Sequence, residues 1–218
     1  MLHLTPVRIS VAIVLLIALA APSVDAQTTL RGHLGVSGFT VVGGDAPGDR
    51  SAFAFPTAGL MVQRRLPVAR QVAVEVGLFY VGKGATSDVQ VRIDGAPPVP
   101  ATTELRLAYL DIPILLRADF EPRPGVTLAL LGGIAIEFLL DEGIEIITED
   151  DSRTGVQTTE NFNGNSFAGQ VGAAIGIERY EVGLRYHRSL SNASSDAAEP
   201  VFANLRHSGL ILSLSYRL

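Results

Sequence analysis

Apolar and non-apolar residues alternate with a period of two along most of the chain after residue 26. In Gln71–Val81, every second residue from Val72 to Tyr80 is apolar. Two of the positions between them are Glu75 and Gly77. A period of two is typical of a β-strand, whose successive side chains point to opposite faces. Apolar stripes with helical spacing and helix-capping signals are missing. The sequence therefore predicts an all-β protein.

The less apolar face of these segments indicates which solvent the strands meet. A soluble sandwich also alternates, with its polar face in water. In Val126–Leu140 and Ser166–Glu178, however, the second face is rich in Gly, Ala and Ser, with isolated charges such as Glu137. Small residues with a few charges suit the crowded interior of a narrow barrel. The aliphatic residues are therefore predicted to face lipid.

The number of segments and the lengths of their connections predict the topology. Eight segments alternate in this way: Thr28–Val42, Ala52–Leu66, Gln71–Val81, Glu104–Ala118, Val126–Leu140, Ser166–Glu178, Val182–His187 and Leu210–Leu218. Long connections (Gly43–Ser51, Gly82–Thr103, Asp141–Asn165 and Ser191–Asn204) alternate with short ones (Pro67–Arg70, Asp119–Gly125 and Arg179–Tyr180). This pattern predicts an eight-stranded, antiparallel, up-and-down transmembrane β-barrel with periplasmic termini and extracellular long loops.

Two details of this prediction concern single strands. In Glu104–Ala118 the apolar phase changes between Tyr109 and Leu110, so we expect a β-bulge near Pro113, which has no amide hydrogen. The five tyrosines are expected near strand ends at the level of the lipid headgroups; they are Tyr80, Tyr109, Tyr180, Tyr186 and Tyr216.

The first 26 residues have the organisation of a secretory signal peptide. His3 and Arg8 precede the apolar run Ile9–Ala21, and small residues close the segment at Ala26. A membrane anchor is the alternative, but a spanning helix needs about 20 apolar residues. We therefore expect residues 1–26 to be removed and residues 27–218 to form one outer-membrane barrel domain.

Composition excludes several functional classes. The chain has no cysteine, which excludes disulfides, cysteine-ligated zinc and thiol catalysis. Its formal net charge is −5, which argues against nucleic acid as a partner. Its only lysine is Lys83, so no other lysine could bind a nucleotide phosphate or form a Schiff base. No cofactor is expected.

Several residue strings resemble the PorT-like outer-membrane β-barrel family. They are Gly59–Leu66, Val74–Tyr80 with Lys83 and Gly84, Tyr109–Arg117, Leu184–Tyr186 and Ser189–Asn192. The most specific is Tyr-Leu-Asp-Ile-Pro at residues 109–113. The resemblance covers the chain after the signal peptide and implies an eight-stranded barrel of the porin type in a Gram-negative outer membrane. It implies no particular activity, because a fold alone does not fix a function. Leu218 departs from the terminal aromatic residue that is usual in this family.

The strand register predicts a set of polar residues that face the barrel interior. A barrel of this size is filled by side chains, and unpaired charges inside it would be costly, so we expect ion pairs and a plugged interior. The predicted inward-facing polar residues are Arg31, Glu75, Glu137, Gln170, Glu178, Arg185, His187 and Arg217. His33 and His207 are single candidates, with a structural role expected.

Two weaker chemical interpretations of the sequence remain open. His187 and Ser189 lie two apart on one strand and could form a base and nucleophile. This His-X-Ser element resembles that of the lipid A 3-O-deacylase, which would make the protein a lipid A-modifying enzyme. The acidic segment 141–160 could bind Ca²⁺, although its spacing does not match a dedicated loop. The candidate ligands there are Asp141, Glu142, Glu149, Asp150 and Asp151.

The sequence favours a non-enzymatic outer-membrane barrel with a structural or surface-binding role through its extracellular loops. Expected partners are outer-membrane lipid and lipopolysaccharide, the barrel-insertion machinery, and an envelope protein or surface ligand. A soluble periplasmic lipocalin-like barrel is a further alternative. In that case the aliphatic face would line the interior.

Overall fold

The structure is a computed structural model that describes residues 28–42, 50–67, 69–91, 99–148, 153–156, 162–192 and 206–218. The expected signal peptide, residues 1–26, lies outside the described residues, and so does most of the first and last long connections. Among the described residues, no helix is long and apolar enough to cross a membrane.

The described chain forms nine β-strands. They are β1 (Thr28–Val42), β2 (Arg50–Leu66), β3 (Ala69–Val91), β4 (Val99–Arg123), β5 (Val126–Thr148), β6 (Arg153–Val156), β7 (Asn165–Ile177), β8 (Tyr180–Ser189) and β9 (Arg206–Arg217).

Eight of these strands close into an antiparallel ring. Each strand pairs with the next one along the chain, except that β5 pairs with β7, and β9 returns to pair with β1. The short strand β6 pairs only with the far end of β5, at residues 144–147. The prediction of an all-β, eight-stranded antiparallel barrel is confirmed. Closure leaves no free edge in the ring, so its backbone amides and carbonyls find partners between strands.

The aliphatic side chains point away from the barrel interior. Leu34 is 69% exposed and Leu212 is 48% exposed, whereas Glu75 on the opposite face is 1% exposed. The same division holds on β8, where Val182, Leu184 and Tyr186 are exposed and Arg185 is buried. The aliphatic face on the outside and the buried charges on the inside exclude the lipocalin-like alternative, because that barrel would need its aliphatic face inside.

Three neighbouring strands continue well beyond the exposed aliphatic band. β3, β4 and β5 have 23, 25 and 23 residues, whereas a membrane crossing needs only about 9–11. The predicted bounds of two connections were therefore wrong. Much of the expected connection Gly82–Thr103 is strand, and the expected connection Asp141–Asn165 begins with strand up to Thr148 and contains β6. Polar residues did not end these strands, because each neighbour continues the hydrogen-bonded ladder.

The expected bulge in Glu104–Ala118 lies in the partner strand instead. β4 keeps a single phase, with Leu105, Leu107 and Tyr109 buried on the same side as Asp111. The register between β4 and β5 shifts by one residue between Ala108 and Tyr109, and the extra residue in β5 is Leu140. Tyr109 is thus fully buried in the interior and not at headgroup level, whereas the other four tyrosines are exposed.

Substitutions by arginine test the lipid-facing assignment. Leu212→Arg, in the middle of the apolar face of β9, should lower the free energy of unfolding by about 2–4 kcal/mol, because it places a charge in hydrocarbon. Leu218→Arg is the control. At the strand end the same change should cost only about 0–1 kcal/mol. Urea unfolding in lipid vesicles, followed by the gel mobility of folded and unfolded barrels, measures both. Equal effects at the two sites would contradict the assignment.

Candidate functional site

The barrel interior holds most of the polar residues that the strand register predicted to lie there. Six of them are buried, each with at most 5% of its surface exposed: Arg31, Glu75, Glu137, Gln170, Arg185 and His187. They come from strands β1, β3, β5, β7 and β8, so the closed ring brings together residues that are far apart in sequence.

Two predicted interior residues lie elsewhere. Glu178 is exposed in the turn between β7 and β8, where its φ of 54° ends the strand and its amide donates to the carbonyl of Gly125 at 3.1 Å. Arg217 continues the inward phase of β9 but is exposed, because it is at the open end of the barrel. Strand phase alone does not show where the enclosed part of a strand stops.

A first group of charges, the turn-side cluster, lies near the short-turn end and is centred on Arg117. Arg117 Nη1 and Nη2 donate to the two carboxylate oxygens of Glu181 at 3.0 and 2.5 Å. Its Nε donates to Asp119 Oδ1 at 2.5 Å and Nη1 also reaches Glu75 Oε1 at 3.2 Å. Arg31 donates to the same Glu75 oxygen at 2.8 Å. Two arginines therefore hold three carboxylates in a bidentate, charge-assisted network.

A second group, the central cluster, surrounds the side chain of Lys83, which is 0% exposed. Its ammonium contacts Glu137 and lies 3.8 Å from Asp111 Oδ1. His187 Nε2 is 2.7 Å from Glu137 Oε1, and its Nδ1 is 3.1 Å from Gln170 Nε2. Glu137 is thus held by an ammonium and an imidazole at the centre of the barrel.

Further contacts connect the central cluster to the surrounding strands. Ser166 Oγ donates to the second oxygen of Glu137 at 2.5 Å. Arg185 Nη1 donates to Gln170 Oε1 at 3.3 Å, and its guanidinium lies 4.7 Å from the centre of the Phe79 ring. The Lys83 ammonium is 4.4 Å from the centre of the Tyr109 ring. Both cations thus also meet aromatic faces, which favour a positive charge.

Apolar side chains lie beyond the central cluster, toward the long-loop end of the barrel. They form an outer cluster of Ala85, Leu105, Leu107, Tyr109, Ile144 and Phe162, with Leu139 against it. The Tyr109 hydroxyl is 3.4 Å from His207 Nε2. The described interior therefore runs along the barrel axis from the turn-side cluster through the central cluster to the apolar outer cluster. A further apolar cluster packs among the charged groups, and it consists of Phe39, Met61, Phe79, Val81, Leu115 and Ile211 with Leu131 against it.

A small cavity lies between the two charged clusters. It has a volume of about 20 Å³, and its lining includes His33, Glu75, Glu181 and Arg185. Neither ring nitrogen of His33 has a hydrogen-bond partner among the described residues, although both are buried. The space suits about one water molecule with polar partners around it. His33 also packs edge-on against Phe79 at 5.2 Å between ring centres, which agrees with the expected structural role.

Sequence reasoning missed five charged residues of the interior. They are Lys83, Asp111, Arg117, Asp119 and Glu181. Asp111 and Arg117 lie on the same inward face of β4 as Tyr109. If the phase of Leu105–Tyr109 had been assigned to the whole strand, both residues would have been predicted to lie inside. Lys83 was assigned to a connection because the length of β3 was underestimated. Glu181 directly follows a tight turn, where strand phase is hard to assign from sequence.

The His187–Ser189 pair is directed into the barrel and away from lipid. Both residues are buried, and the imidazole is engaged by Glu137 and Gln170. Ser189 Oγ accepts a hydrogen bond from the backbone amide of His207 at 3.1 Å. Catalysis on a membrane lipid would require access from the outer wall, so this geometry gives the deacylase-like alternative no support.

Potential metal ligands meet at a place that the sequence did not indicate. Asp111, Glu137 and His187 each have a ligand atom within 4.8 Å of the others. Lys83 already supplies a positive charge there, which makes the group an ion-paired network rather than a vacant cation site. In the acidic segment 141–160, Asp141 is exposed and its neighbour Glu142 is partly buried. Glu149, Asp150 and Asp151 lie outside the described residues.

Sequence comparison assigns the family. Residues 30–195 match the model of the family described as "Outer membrane protein beta-barrel domain". The chain belongs to this family. The protein is thus an outer-membrane β-barrel protein, as its lipid-facing aliphatic surface indicates. No curated protein is significantly similar to it in sequence.

Three solved structures of outer-membrane proteins are similar to this chain. The Ail attachment invasion locus protein of Yersinia pestis is 10% identical, with a TM-score of 0.40 over 88% of this chain and 99% of that one. Neisserial surface protein A is 9% identical, with a TM-score of 0.44 over the same shares. OprG of Pseudomonas aeruginosa is 13% identical, with a TM-score of 0.35 over 90% and 99%.

Removal of Lys83 tests whether the central cluster is held by ion pairing. Lys83→Met leaves the carboxylates of Glu137 and Asp111 buried without the ammonium, so it should lower the free energy of unfolding by about 3–5 kcal/mol. The double variant Lys83→Met/Glu137→Gln should recover much of that loss, because it also removes one uncompensated charge.

The control for this prediction is Arg106→Met, which removes a half-exposed guanidinium from its pairs with Glu104 and Glu145. Exposed pairs contribute about 1 kcal/mol or less. Urea unfolding in vesicles compares the three variants with the original protein. A Lys83→Met barrel as stable as Arg106→Met would show that the ammonium does not hold the cluster together.

Glu142 has a raised pKa at the outer end of β5, beyond the apolar band. It pairs in register with Leu107 of the outer cluster, and neither carboxylate oxygen has a hydrogen-bond partner among the described residues. Burial, and to a smaller extent the charge of Asp141, raises the pKa of Glu142 to about 7. The stability linked to this group is therefore present below its usual pKa and is lost as the pH rises through about 7.

Glu142→Gln should remove this pH dependence. The variant should be more stable than the original protein at about pH 8, where the carboxylate is charged, and nearly equal to it at about pH 4, where the carboxyl is protonated in both the folded and the unfolded chain. Asp141→Asn, at an exposed neighbour, removes only the smaller cause and should have a weaker effect. Hydrogen exchange of the β5 amides beyond Leu140 provides the measurement. A Glu142→Gln effect that is the same at both pH values would contradict the raised pKa.

Proposed function

We propose that the protein is a non-conducting, non-enzymatic scaffold in the outer membrane that presents its long-loop end at the cell surface for binding. The observation that carries this proposal is the layered interior. Paired charges form the turn-side and central clusters, and the apolar outer cluster lies beyond them. Such an interior leaves the outer end as the surface on which a function can act.

The long-loop end supports the binding part of the proposal. β3, β4 and β5 carry their ladder well past the aliphatic band, which gives this end a stiff projection with β6 added to it. The segment from Asp141 to Glu160 has seven carboxylates and one base, Arg153. Acidic residues in this part of the sequence suit cationic ligands, or lipopolysaccharide bridged through divalent cations.

The proposal includes the route and the orientation of the chain. Residues 1–26 direct export and are removed, the barrel-insertion machinery places the barrel, and both termini stay periplasmic. The narrower assignment to PorT-like barrels of Gram-negative bacteria agrees with this route, on the residue strings noted above. An envelope protein or other surface ligand at the long-loop end completes the proposed set of partners.

Single cysteines test the orientation, because the chain has none of its own. Asp141→Cys at the long-loop end should react in intact cells with a maleimide that cannot cross the outer membrane. Glu121→Cys, exposed beside the turn between β4 and β5, is the matched control and should react only after the membrane is permeabilised. The reverse pattern would overturn the proposed orientation.

Planar-bilayer recordings test the closed interior. The purified barrel should give no steady open current, because ion pairs and the outer cluster fill the path. Lys83→Met/Glu137→Gln removes the main ion pair of the central cluster. This variant should also give no steady current as long as the outer cluster is intact. A large steady current from the original protein would contradict a scaffold with a closed interior.

A further inference from the structure

The lipid-facing wall has a groove at its short-turn end. It has a volume of about 570 Å³ and lies where β9, β1 and β2 meet. Its floor is formed by Gly32 and Ala58, and its walls by Leu34, Leu60, Leu214 and Tyr216. A side chain built at Gly32 would have nothing within 4 Å, so the groove is open space and not a packing gap.

Shape distinguishes this groove from the rest of the aliphatic surface. Every lipid-facing residue already lies in hydrocarbon, so apolarity alone gives a ligand no reason to prefer one place on the wall. Association inside a membrane depends on close packing, and a concave floor flanked by leucines offers an acyl chain more contacts than a convex row does. Gly32 has no side chain and Ala58 has a single methyl group, so the exposed side chains of the neighbouring leucines rise above this floor; they are Leu34, Leu60 and Leu214.

Polar and basic groups lie at the end of the groove that faces the short turns. The rings of Tyr180 and Tyr216 are 5.2 Å apart, and Arg179 Nη1 donates to Tyr216 Oη at 3.4 Å. Arg64 follows Leu60 in the same outward phase of β2, about 13 Å further toward this end at the usual rise of a strand. Tyrosine and arginine at this level suit the glycerol and phosphate region of a lipid.

The basic groups extend along this end of the barrel. Among the residues whose side chains the structure describes, five arginines lie there and two exposed glutamates oppose them; they are Arg64, Arg65, Arg123, Arg179 and Arg217, with Glu121 and Glu178. By contrast, the segment 141–160 of the long-loop end has seven acidic residues and one basic residue in its sequence. An anionic headgroup therefore complements the short-turn end, and a neutral headgroup gains less there.

We propose that this groove is a binding site for an anionic glycerophospholipid, with one acyl chain over Gly32 and Ala58 and the phosphate near Arg179 and Tyr216. The site rests on the proposed function in one respect only. With the proposed orientation, the lipid comes from the periplasmic leaflet. It adds a specific lipid contact to the wall of the barrel, independent of any ligand at the long-loop end.

Native mass spectrometry of the full chain in detergent, titrated with phosphatidylglycerol or phosphatidylcholine, tests the site. The original protein should retain one phosphatidylglycerol per chain in preference to phosphatidylcholine. Gly32→Leu fills the groove and should weaken this retention by about tenfold or more, because the packing contacts of the acyl chain are lost. Arg179→Gln should reduce the preference for phosphatidylglycerol and leave phosphatidylcholine binding unchanged.

Gly132→Leu is the matched control. Gly132 lies on the outward phase of β5, and a side chain there also meets nothing within 4 Å. It should therefore retain phosphatidylglycerol like the original protein. Equal retention by Gly32→Leu and Gly132→Leu would overturn the site, and so would an unchanged headgroup preference in Arg179→Gln. A dimer that Gly32→Leu dissociates would assign the groove to a second copy of the chain and overturn the lipid.

These outcomes are independent of the proposed function. Lipid retention in detergent does not depend on the direction in which the barrel is inserted, whereas cysteine labelling in cells depends only on that direction. Failure of one result therefore leaves the other intact.

Discussion

Closure of the backbone hydrogen-bond ladder is the constraint on which the rest of this structure depends. In hydrocarbon an unpaired amide or carbonyl costs several kcal/mol, and the ring of eight strands removes that cost by returning β9 to β1. Closure at eight strands also fixes the interior as a narrow space that side chains must fill. The alternation of aliphatic and small or charged residues is the consequence of that narrow space inside and lipid outside.

The interior charges also bear on the register of the strands. A slip by one residue would turn every side chain of a strand to the other face. It would move Glu75 or Arg185 into lipid and break the pairs around Arg117 and Lys83. Buried ion pairs add little net stability on average. We infer that here they select one register out of several that the aliphatic pattern alone would allow.

The two ends of the barrel differ in length, charge and chemistry. The short-turn end is basic and lies close to the aliphatic band, whereas β3, β4 and β5 carry the long-loop end outward and present acidic residues there. The proposed scaffold function uses the outer end, and the proposed lipid site uses the wall near the short turns. The paired interior between them separates the two, so each can change without disturbing the other.

The sequence by itself determined the fold class. Its period of two predicted the strands, and its small and charged second face predicted that the aliphatic face meets lipid. The alternation of long and short connections predicted an up-and-down ring. It also placed Glu75, Glu137 and His187 inside, because strand phase is a local property. Local phase does not show where an enclosed segment ends, so it wrongly included Glu178 and Arg217.

The tertiary structure decided which of the interior residues meet. Lys83 and Glu137 are 54 residues apart, and only ring closure brings their side chains together. The same holds for Arg117 and Glu181, which are 64 residues apart. The groove at Gly32 depends on the register between three strands as well as on composition, because a glycine makes a groove only where its neighbours across the sheet stand above it. Pairing across strands is non-local, and a single sequence does not encode it in any periodic pattern.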